Sequence, residues 1–513
     1  MSQNYLLGVD IGTYSSKGVL VDADNGEVLA SHMVEHGLSM PKPGWAEHDP
    51  QKIWWGEFVE ICRRLLADTR IDPQHIKGVG TSGIGSCVLP IDKDGNPLRQ
   101  GILYGIDTRA TKEIEQLEKE LGREKIFQLS GSHLSSSNSG PKILWIKNNE
   151  PQVFAKTRWF LGSAPYIIYR LTQQATIDVY SACGFAPMLD IEKIRWLEEM
   201  GKYVAPVETM PKLIWSTEVA GLVNAEAARI TGLAQGTPVI AGTIDAAAEA
   251  VSAGLANYGD MMIMFGSSNS FILKTDKLIR TENFWSLNWM EPQTFAVVGG
   301  MATVGSLTRW FRDNLAPQEL AAQQAGGENA YSAMALMLKD SPLGARGLIA
   351  LPYFEGERTP LYDPDAKGVL FGLTLKHTRA DIYRALLESV GFGIRHNVDS
   401  MLAEGVAPRR ILAVGGGTKN PGWMQMVGDI ANIAMVIPEQ QIGASYGDAF
   451  RAGVGVGLIK NMGEISRWVK NKTEIKPNAD NTRKYEPLYK IYRELYEQTK
   501  NLMHELSELN RSK

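Results

Sequence analysis

The chain carries one local pattern twice, and the two copies lie about half its length apart. Mainly apolar runs at Tyr5–Val9 and Lys17–Asp22 enclose the polar turn Asp10–Ser16. The segment Met261–Leu273 repeats this plan around the turn Gly266–Ser270. Each copy predicts a β-hairpin with a polar tip. Repetition at so long an interval favours two related domains facing each other, because a solenoid has a period of about 20 to 50 residues.

Predicted strands and helices alternate through both halves, which indicates an α/β fold with the domain junction near residues 245–260. Further strands are predicted at 76–80, 238–242, 411–414 and 434–437, and helices at 109–120, 142–149, 304–314, 379–399, 421–433 and 447–456. The tail predicts an amphipathic helix that packs on the body, from the helical spacing of Tyr485, Leu488, Tyr489, Tyr492, Leu495 and Tyr496.

Length and composition narrow the classes of protein. At 513 residues and 44% apolar content, the chain can bury two cores, with a cleft between them. The net charge of −4 disfavours nucleic acid and anionic membranes as partners. Cys62, Cys87 and Cys183 show no paired spacing, which predicts a reducing compartment, the cytoplasm. No signal peptide, membrane helix or zinc-ligand spacing is expected.

The first polar turn has the groups needed to hold a polyphosphate. Gly12 frees backbone N–H groups, Thr13 and Ser15 add hydroxyls, and Lys17 adds an ammonium. Asp10, at the strand end, is suited to hold Mg²⁺ through water, since Mg²⁺ keeps several waters. An ordinary β-turn accounts for the same residues. The second hairpin favours the phosphate interpretation, because phosphoryl transfer needs donors on both sides of the γ-phosphate.

A third glycine-rich segment, Gly415–Gly417, follows the predicted strand at 411–414. It opens toward Asn420 and a helix, so bare backbone is available for close approach of an adenine ring, although a simple helix-entry turn fits equally well. Neither a GxxxxGK[ST] loop nor a strand–GxGxxG–helix unit is present. A nicotinamide oxidoreductase built on the triple glycine is therefore a rival without its defining motif.

Asp245 follows the predicted strand at 238–242 and precedes a helix that begins with small residues, Ala246–Ala248. A helix N-terminus favours an ionised carboxylate. Such a carboxylate can accept the proton of an attacking hydroxyl in phosphoryl transfer. A plain helix N-cap is the alternative, because Asp is among the commonest caps.

Five segments together resemble the FGGY family of carbohydrate kinases, and the resemblance spans nearly the whole chain. Ser137–Asn149 matches one family signature, and Gly368–Leu373 with Asp381–Glu388 matches the other. Pro43–Pro50 and Gly356–Pro360 are similar to further family segments. The resemblance implies two ribonuclease-H-like domains around an interdomain cleft, as in actin and the Hsp70 ATPase. It assigns residues 1–248 to an N-terminal domain with the sugar and the first phosphate turn, and 249–513 to a nucleotide-binding C-terminal domain.

The same resemblance implies individual roles, with ATP and Mg²⁺ as cofactors. Asp245 falls at the general-base position, where the family has a segment like GGGDNAA and this chain reads AGTIDAA. The implied nucleotide contacts are Gly12, Thr13, Ser15, Lys17, Gly266, Ser267, Gly305, Arg309, Gly416 and Asn420.

Sugar-contacting positions depart from the xylulokinase branch of the family. Ile84 and Gly85 stand in the third-strand turn, where xylulokinases have Met-His-Gly and glycerol kinases have an Arg-Glu pair. Asp107 stands at the position of the aspartate in the aromatic-Asn-Asp segment of xylulokinases. In this chain the stretch between the aromatic residue and the aspartate is one residue longer. The resemblance therefore implies Ile84, Gly85, Asp107 and Asp245 as substrate-binding positions, and it disfavours glycerol.

The sequence thus predicts an ATP-dependent kinase acting on a small sugar, with a ketopentose such as D-xylulose first. Another pentulose, a polyol or a sugar acid is the next alternative. A non-catalytic sugar sensor or a chaperone-like ATPase of the same fold is the rival from another class. The protein could also form a homodimer, which the sequence does not decide.

Overall fold

The computed structural model describes residues 4–439 and 442–511. The strands of the first half are β1 (Tyr5–Ile11), β2 (Ser15–Asp22), β3 (Val28–Glu35), β4 (Glu47–His48), β5 (Ile76–Gly83), β6 (Leu89–Ile91), β7 (Gly101–Ile102), β8 (Trp159–Leu161), β9 (Thr176–Asp178), β10 (Leu189–Asp190), β11 (Arg195–Trp196), β12 (Lys212–Ile214), β13 (Val219–Leu222), β14 (Pro238–Ile240) and β15 (Thr243–Ile244). Its helices are α1 (Glu57–Thr69), α2 (Thr111–Leu121), α3 (Arg123–Ser130), α4 (Ser139–Asn149), α5 (Pro151–Lys156), α6 (Ser163–Thr172), α7 (Val179–Ala182), α8 (Ala225–Thr231) and α9 (Asp245–Ser252).

The second half continues the alternation. Its strands are β16 (Asp260–Phe265), β17 (Asn269–Thr275), β18 (Trp285–Asn288), β19 (Phe295–Gly299), β20 (Ile349–Leu351), β21 (Val369–Phe371), β22 (Arg410–Val414), β23 (Met435–Pro438) and β24 (Asn471–Ile475). Its helices are α10 (Gly305–Leu315), α11 (Pro317–Gln324), α12 (Ala330–Leu336), α13 (Arg379–Ala403), α14 (Pro421–Ala431), α15 (Ala444–Gly455) and α16 (Ala479–Arg511).

The two large sheets share one topology, which confirms the predicted duplication. The first has the order β13-β14-β5-β1-β2-β3, and the second has the order β18-β19-β17-β16-β22-β23-β24. In each, the leading strand pairs antiparallel with the next strand of its hairpin and parallel with a later strand, β5 or β22. A parallel neighbour needs a crossover connection, and each half supplies one that contains helices. The predicted two-domain α/β fold is therefore confirmed.

Both polar turns are shorter than predicted. In the first hairpin Asp10 pairs with Lys17 and Ile11 with Ser16, so only residues 12–15 lie outside the ladder of β1 and β2. In the second hairpin Phe265 pairs with Asn269, which leaves residues 266–268 as the turn. Polar residues continue the strand pairing here because the backbone hydrogen bonds of a hairpin do not depend on side-chain polarity.

Helices α9 and α15 lie between the two sheets. One cluster of buried apolar residues joins Leu6 and Val19 of the first sheet, Val251 of α9, Phe450 of α15 and Met262 of the second sheet. Although α15 belongs to the second half of the chain, it packs closely on the first sheet. A Cβ atom at Gly8 or Gly80 would overlap the backbone carbonyl of Ser445 or Asp448, so glycine allows this close approach.

The tail helix is confirmed as α16, whose apolar side packs against the second half. Tyr485, Tyr492 and Leu495 are buried, and the Tyr492 hydroxyl lies 2.9 Å from that of Tyr353. In the described part of the chain, no helix is both long and apolar enough to cross a lipid bilayer. The predicted domain boundary at residue 248 falls inside α9, which is continuous from Asp245 to Ser252.

Candidate active site

Six of the predicted nucleotide contacts line one cavity in the second half. Its volume is about 520 Å³, within the range of ligand pockets. The six are Gly266, Ser267, Gly305, Arg309, Gly416 and Asn420. Phe265, Tyr383 and Trp423 add aromatic surface to the wall. The cavity therefore joins the second hairpin, the start of α10 and the triple-glycine segment, which are far apart in the sequence.

Backbone contacts fix the wall of this cavity. The amide of Gly305 donates a 2.9 Å hydrogen bond to the Gly266 carbonyl, and the Val304 amide donates one of 3.0 Å to Ser267. A Cβ at Gly305 would overlap the carbonyl of Gly266, so the helix start and the hairpin turn meet only because glycine is present. The Asn420 side chain accepts from the Trp423 amide at 3.0 Å and caps α14.

The predicted residues of the first hairpin do not line that cavity. The Gly12 amide donates to the Ser15 carbonyl at 2.9 Å and closes the turn. The Thr13 hydroxyl lies 3.2 Å from that of Tyr104. The Lys17 ammonium donates a 2.6 Å hydrogen bond to the carbonyl of Ile442, next to α15.

Four carboxylates meet near the first hairpin, and we call Asp10, Asp245, Glu249 and Asp448 the carboxylate cluster. Burial, followed by repulsion from Asp245 and Asp448, raises the pKa of Asp10 well above its usual value. Burial also raises the pKa of Asp448 to about 6 and that of Glu249 to about 7. Each shift means that the surroundings of the carboxyl disfavour its ionised form.

Asp245 is the first residue of α9, as predicted, and its side chain is half-buried. One carboxylate oxygen accepts the amide of Ala246 at 2.7 Å. The other oxygen has no hydrogen-bond donor among the residues that the structure describes. Burial, with a further contribution from Asp448, raises the pKa of Asp245 to about 6. The side chain thus keeps one oxygen available to accept a proton near neutral pH.

A magnesium ion suits the charge of the carboxylate cluster. Two cationic side chains offset its four acidic groups: Lys17 interacts with Glu249, and Arg451 pairs with Asp448 at 2.5 Å. Across residues 4–439 and 442–511, no three acidic, histidine or cysteine groups are arranged to hold a metal directly. Mg²⁺ commonly keeps several of its own waters and takes few protein ligands, so a charged cluster without a preformed cage suits it.

Ile84 and Gly85 line a second, much smaller cavity, together with Thr243 and Ile244 next to Asp245. Its volume is about 20 Å³, enough for a single water molecule. The structure therefore brings the third-strand turn to the segment that carries Asp245. It does not show a space the size of a sugar at these residues.

The structure does not bring Asp107 to either cavity. Its side chain has no exposed surface and forms a 2.6 Å ion pair with Arg109. The backbone amide of Ala46 donates a further hydrogen bond of 2.7 Å. These two contacts are made by Oδ2, while Oδ1 accepts from the backbone amide and Nε of Arg109 at 3.1 and 2.9 Å, so both oxygens have partners. The substrate contact of Asp107 stays a prediction.

The sequence interpretation missed Ser82, Glu249 and Asp448. Ser82 ends up beside Asp10 because β5 and β1 are parallel neighbours with these two residues paired. Asp448 and Arg451 are both completely buried in α15. Two opposite charges spaced i,i+3 in a helix of small and apolar residues could have indicated a buried pair. No local pattern indicated that this pair belongs to the site.

Comparison with known proteins identifies the same family that the sequence motifs resemble. A sequence model of the N-terminal domain of the FGGY family of carbohydrate kinases matches residues 5–252. The model of the C-terminal domain of that family matches residues 261–456. Together the two matches cover most of the chain.

Individual relatives are similar over their full length. A xylulose kinase from Bacillus subtilis is 28% identical, with 97% of this chain and 98% of the relative aligned. A gluconokinase from the same organism is 27% identical, with 95% of each chain aligned. The crystal structure of xylulose kinase from Rhodospirillum rubrum superposes with a TM-score of 0.91 at 29% identity, covering 98% of this chain and 100% of that one.

Proposed function

Because this chain belongs to the FGGY family of carbohydrate kinases, and is therefore an ATP-dependent sugar kinase, we propose that it phosphorylates a ketopentose, with D-xylulose as the first candidate. The observation that carries this proposal is the convergence of six predicted nucleotide contacts on one cavity. The xylulose kinases among the full-length relatives support the choice of sugar.

Both halves of the chain are proposed to contact the nucleotide. The adenosine part of ATP would occupy the 520 Å³ cavity between Gly266, Gly305 and Gly416, where bare backbone admits a flat ring. The terminal phosphates would reach toward Gly12 and Thr13 of the first turn. The Gly12 amide already donates to Ser15, so the other N–H groups and the hydroxyls of the turn would stabilise the phosphate oxygens.

Asp245 is proposed as the general base. The available oxygen of Asp245 accepts the proton of the attacking sugar hydroxyl. The hydroxyl oxygen of the sugar bonds to the γ-phosphorus, and the bond from that phosphorus to the ADP oxygen breaks. In a loose transition state the proton leaves late, so a carboxylate with a pKa of about 6 is basic enough. The products are ADP and a sugar phosphate, and the proton on Asp245 is then lost to solvent.

Asp10 is proposed to hold Mg²⁺ through water. When bound, this ion supplies positive charge that neutralises the phosphate oxygens during transfer. Asp10 would orient it. Lys17 and Arg451 offset part of the negative charge when the ion is absent.

Ile84 and Gly85 are proposed to contact the sugar, since they line the same small cavity as Thr243 and Ile244. Asp107 is left out because Arg109 and Ala46 hold its carboxylate. A sugar acid is a second candidate, because a gluconokinase aligns with 95% of this chain and Ile84-Gly85 replaces the Met-His-Gly turn of xylulokinases. A cytoplasmic location and a homodimer stay predictions.

The test is an ADP-release assay with Mg·ATP across D-xylulose, other pentuloses, polyols and aldonic acids, with mass spectrometry of the product. We expect the highest kcat/KM with D-xylulose and a singly phosphorylated product. Preference for an aldonic acid would replace the ketopentose by the second candidate. Equal ADP release without any sugar would assign an ATPase, and no turnover with any compound would favour a non-catalytic sensor.

A further inference from the structure

Ser82 lies between two acidic side chains that come from opposite ends of the chain. Its hydroxyl oxygen is 2.8 Å from Asp10 Oδ1 and 2.6 Å from Asp448 Oδ2. Ser82 itself has no exposed surface. The three side chains therefore form a continuous row from the first hairpin, across β5, to helix α15.

The far end of this row is fixed. Asp448 pairs with Arg451, and neither side chain has exposed surface. The guanidinium of Arg451 also donates to the backbone carbonyls of Ser216, Ala241 and Thr81, at 3.0 to 3.1 Å. A charged group held by this many partners in the interior has one available position. Asp448 consequently offers Ser82 a rigid partner.

Asp10, at the other end of the row, is held in one orientation. With Asp10 Oδ1 beside Ser82, the other oxygen, Oδ2, lies on the side of the first turn, 4.0 Å from the position that a Cβ of Gly12 would take. Without Ser82, rotation about the last side-chain bond of Asp10 would exchange or turn away these oxygens, because that torsion is broad.

We propose that Ser82, held by Asp448, is a positioning residue that orients Asp10 toward the Mg²⁺ of a bound nucleotide. The proposal rests on the proposed function in so far as Asp10 is taken as the magnesium residue. It adds that a helix of the second half, α15, sets the geometry of a carboxylate in the first half.

The test measures ADP affinity by calorimetry, in EDTA and in saturating Mg²⁺, and needs no sugar turnover. The ratio of the two dissociation constants is the magnesium factor. We expect Ser82→Ala to lower this factor about tenfold, the usual effect of losing a hydrogen bond to a charged group, while ADP affinity in EDTA is unchanged. Ser82→Thr, which keeps the hydroxyl, is expected to restore the factor to within about twofold of the parent.

Ser341→Ala is the matched control, because Ser341 is also buried and donates to a buried carboxylate, Asp381, at 2.6 Å. Its magnesium factor should equal that of the parent. An unchanged factor in Ser82→Ala, or a Ser82→Thr variant as weak as Ser82→Ala, overturns the proposal. A general loss of packing would instead lower ADP affinity equally with and without Mg²⁺, and this result also overturns it.

Asp448→Asn separates the hydrogen bond of Asp448 from its charge. An amide at this position can accept from Arg451 and donate to Ser82, which directs the single Ser82 proton toward Asp10. We expect the magnesium factor to stay within about threefold of the parent. A fall as large as that of Ser82→Ala would overturn the role given to Asp448. Failure of every sugar in the ADP-release assay would refute the proposed acceptor and leave these binding results standing.

Discussion

The Lys17 ammonium donates a 2.6 Å hydrogen bond to the carbonyl of Ile442, a residue 425 positions further along the chain. The first hairpin is therefore tied to the segment that enters α15. Burial raises the pKa of the Glu249 carboxyl to about 7, and the nearby Lys17 ammonium offsets part of that rise. Lys17 thus faces the carboxylate cluster and the space where phosphates are proposed to bind.

Lys17→Met should raise the KM for Mg·ATP about tenfold, because one ammonium is lost from a poorly hydrated site. Steady-state kinetics at saturating sugar measure the effect. Lys147→Met is the control, since Lys147 also donates to a backbone carbonyl, that of Lys202, at 3.0 Å but on the surface. A lower melting temperature with an unchanged KM would limit Lys17 to joining the two halves.

Asp245→Asn should lower kcat by about 100- to 10,000-fold, the usual contribution of a general base. ADP affinity should change little, because the amide keeps the shape of the side chain and its contact with Ala246. Rapid-quench measurement of phosphoryl transfer and calorimetry with ADP test the two expectations. Near-normal transfer by the variant would remove Asp245 from the chemical step.

The rate should depend on pH through Asp245. Burial raises its pKa to about 6, and a general base works only when ionised, so kcat/KM should rise with pH through about 6 and level off above it. Below that pKa the rate should fall about tenfold per pH unit. The pH profile of kcat/KM measures this dependence. A profile that is flat from pH 5 to 7 would contradict the assignment.

Gly416→Leu should block the nucleotide cavity. Gly416 lines that cavity, and a Cβ built there meets no atom within 4 Å, so a leucine side chain fits at the cavity wall without moving the backbone. We expect the Kd for ADP to rise at least about tenfold, with no loss of folding stability. Gly37→Leu is the matched control, because Gly37 also has open space around its Cβ and lies outside the cavity. Equal ADP affinity in both variants would place the nucleotide elsewhere.

Gly447→Ala should destabilise the packing of α15 on α9. A Cβ at Gly447 would overlap the carbonyl of Ala248. Overpacking of this kind costs about 1–3 kcal/mol of the free energy of unfolding, as measured by urea denaturation. Gly422→Ala is the control within a helix, where the nearest atom would be 3.5 Å away, and it should stabilise by about 0.5–1 kcal/mol. A stable Gly447→Ala protein would mean that the two helices separate easily.

Local patterns predicted the elements that local hydrogen bonding governs. The two hairpins, the helix beginning at Asp245 and the tail helix with Tyr485 and Tyr492 are all present. The ends of the turns were less predictable. Asp10 and Lys17 have polar side chains typical of a turn, but the ladder between β1 and β2 includes them.

In the structure the predicted site residues do not all lie at one cavity. The six nucleotide contacts that the family resemblance implied in the second half lie on one cavity, and three of them are glycines at chain reversals, which leave a clear signal in a sequence. It also gave Asp107 a sugar contact, whereas the ion pair with Arg109 and the amide of Ala46 occupy that carboxylate. The spacing of residues along the chain does not show which acidic side chain pairs with a buried arginine.

The sequence by itself determined the duplicated α/β plan, the position of Asp245 at a helix start and the membership in a kinase family. Only the tertiary structure decided that Ser82 and Asp448 join Asp10, since these residues come from a middle strand of one sheet and from a helix 366 positions later. Side-chain periodicity reports which face of an element is buried. Partners across the interior are set by how whole sheets and helices pack, and that packing has no local signature.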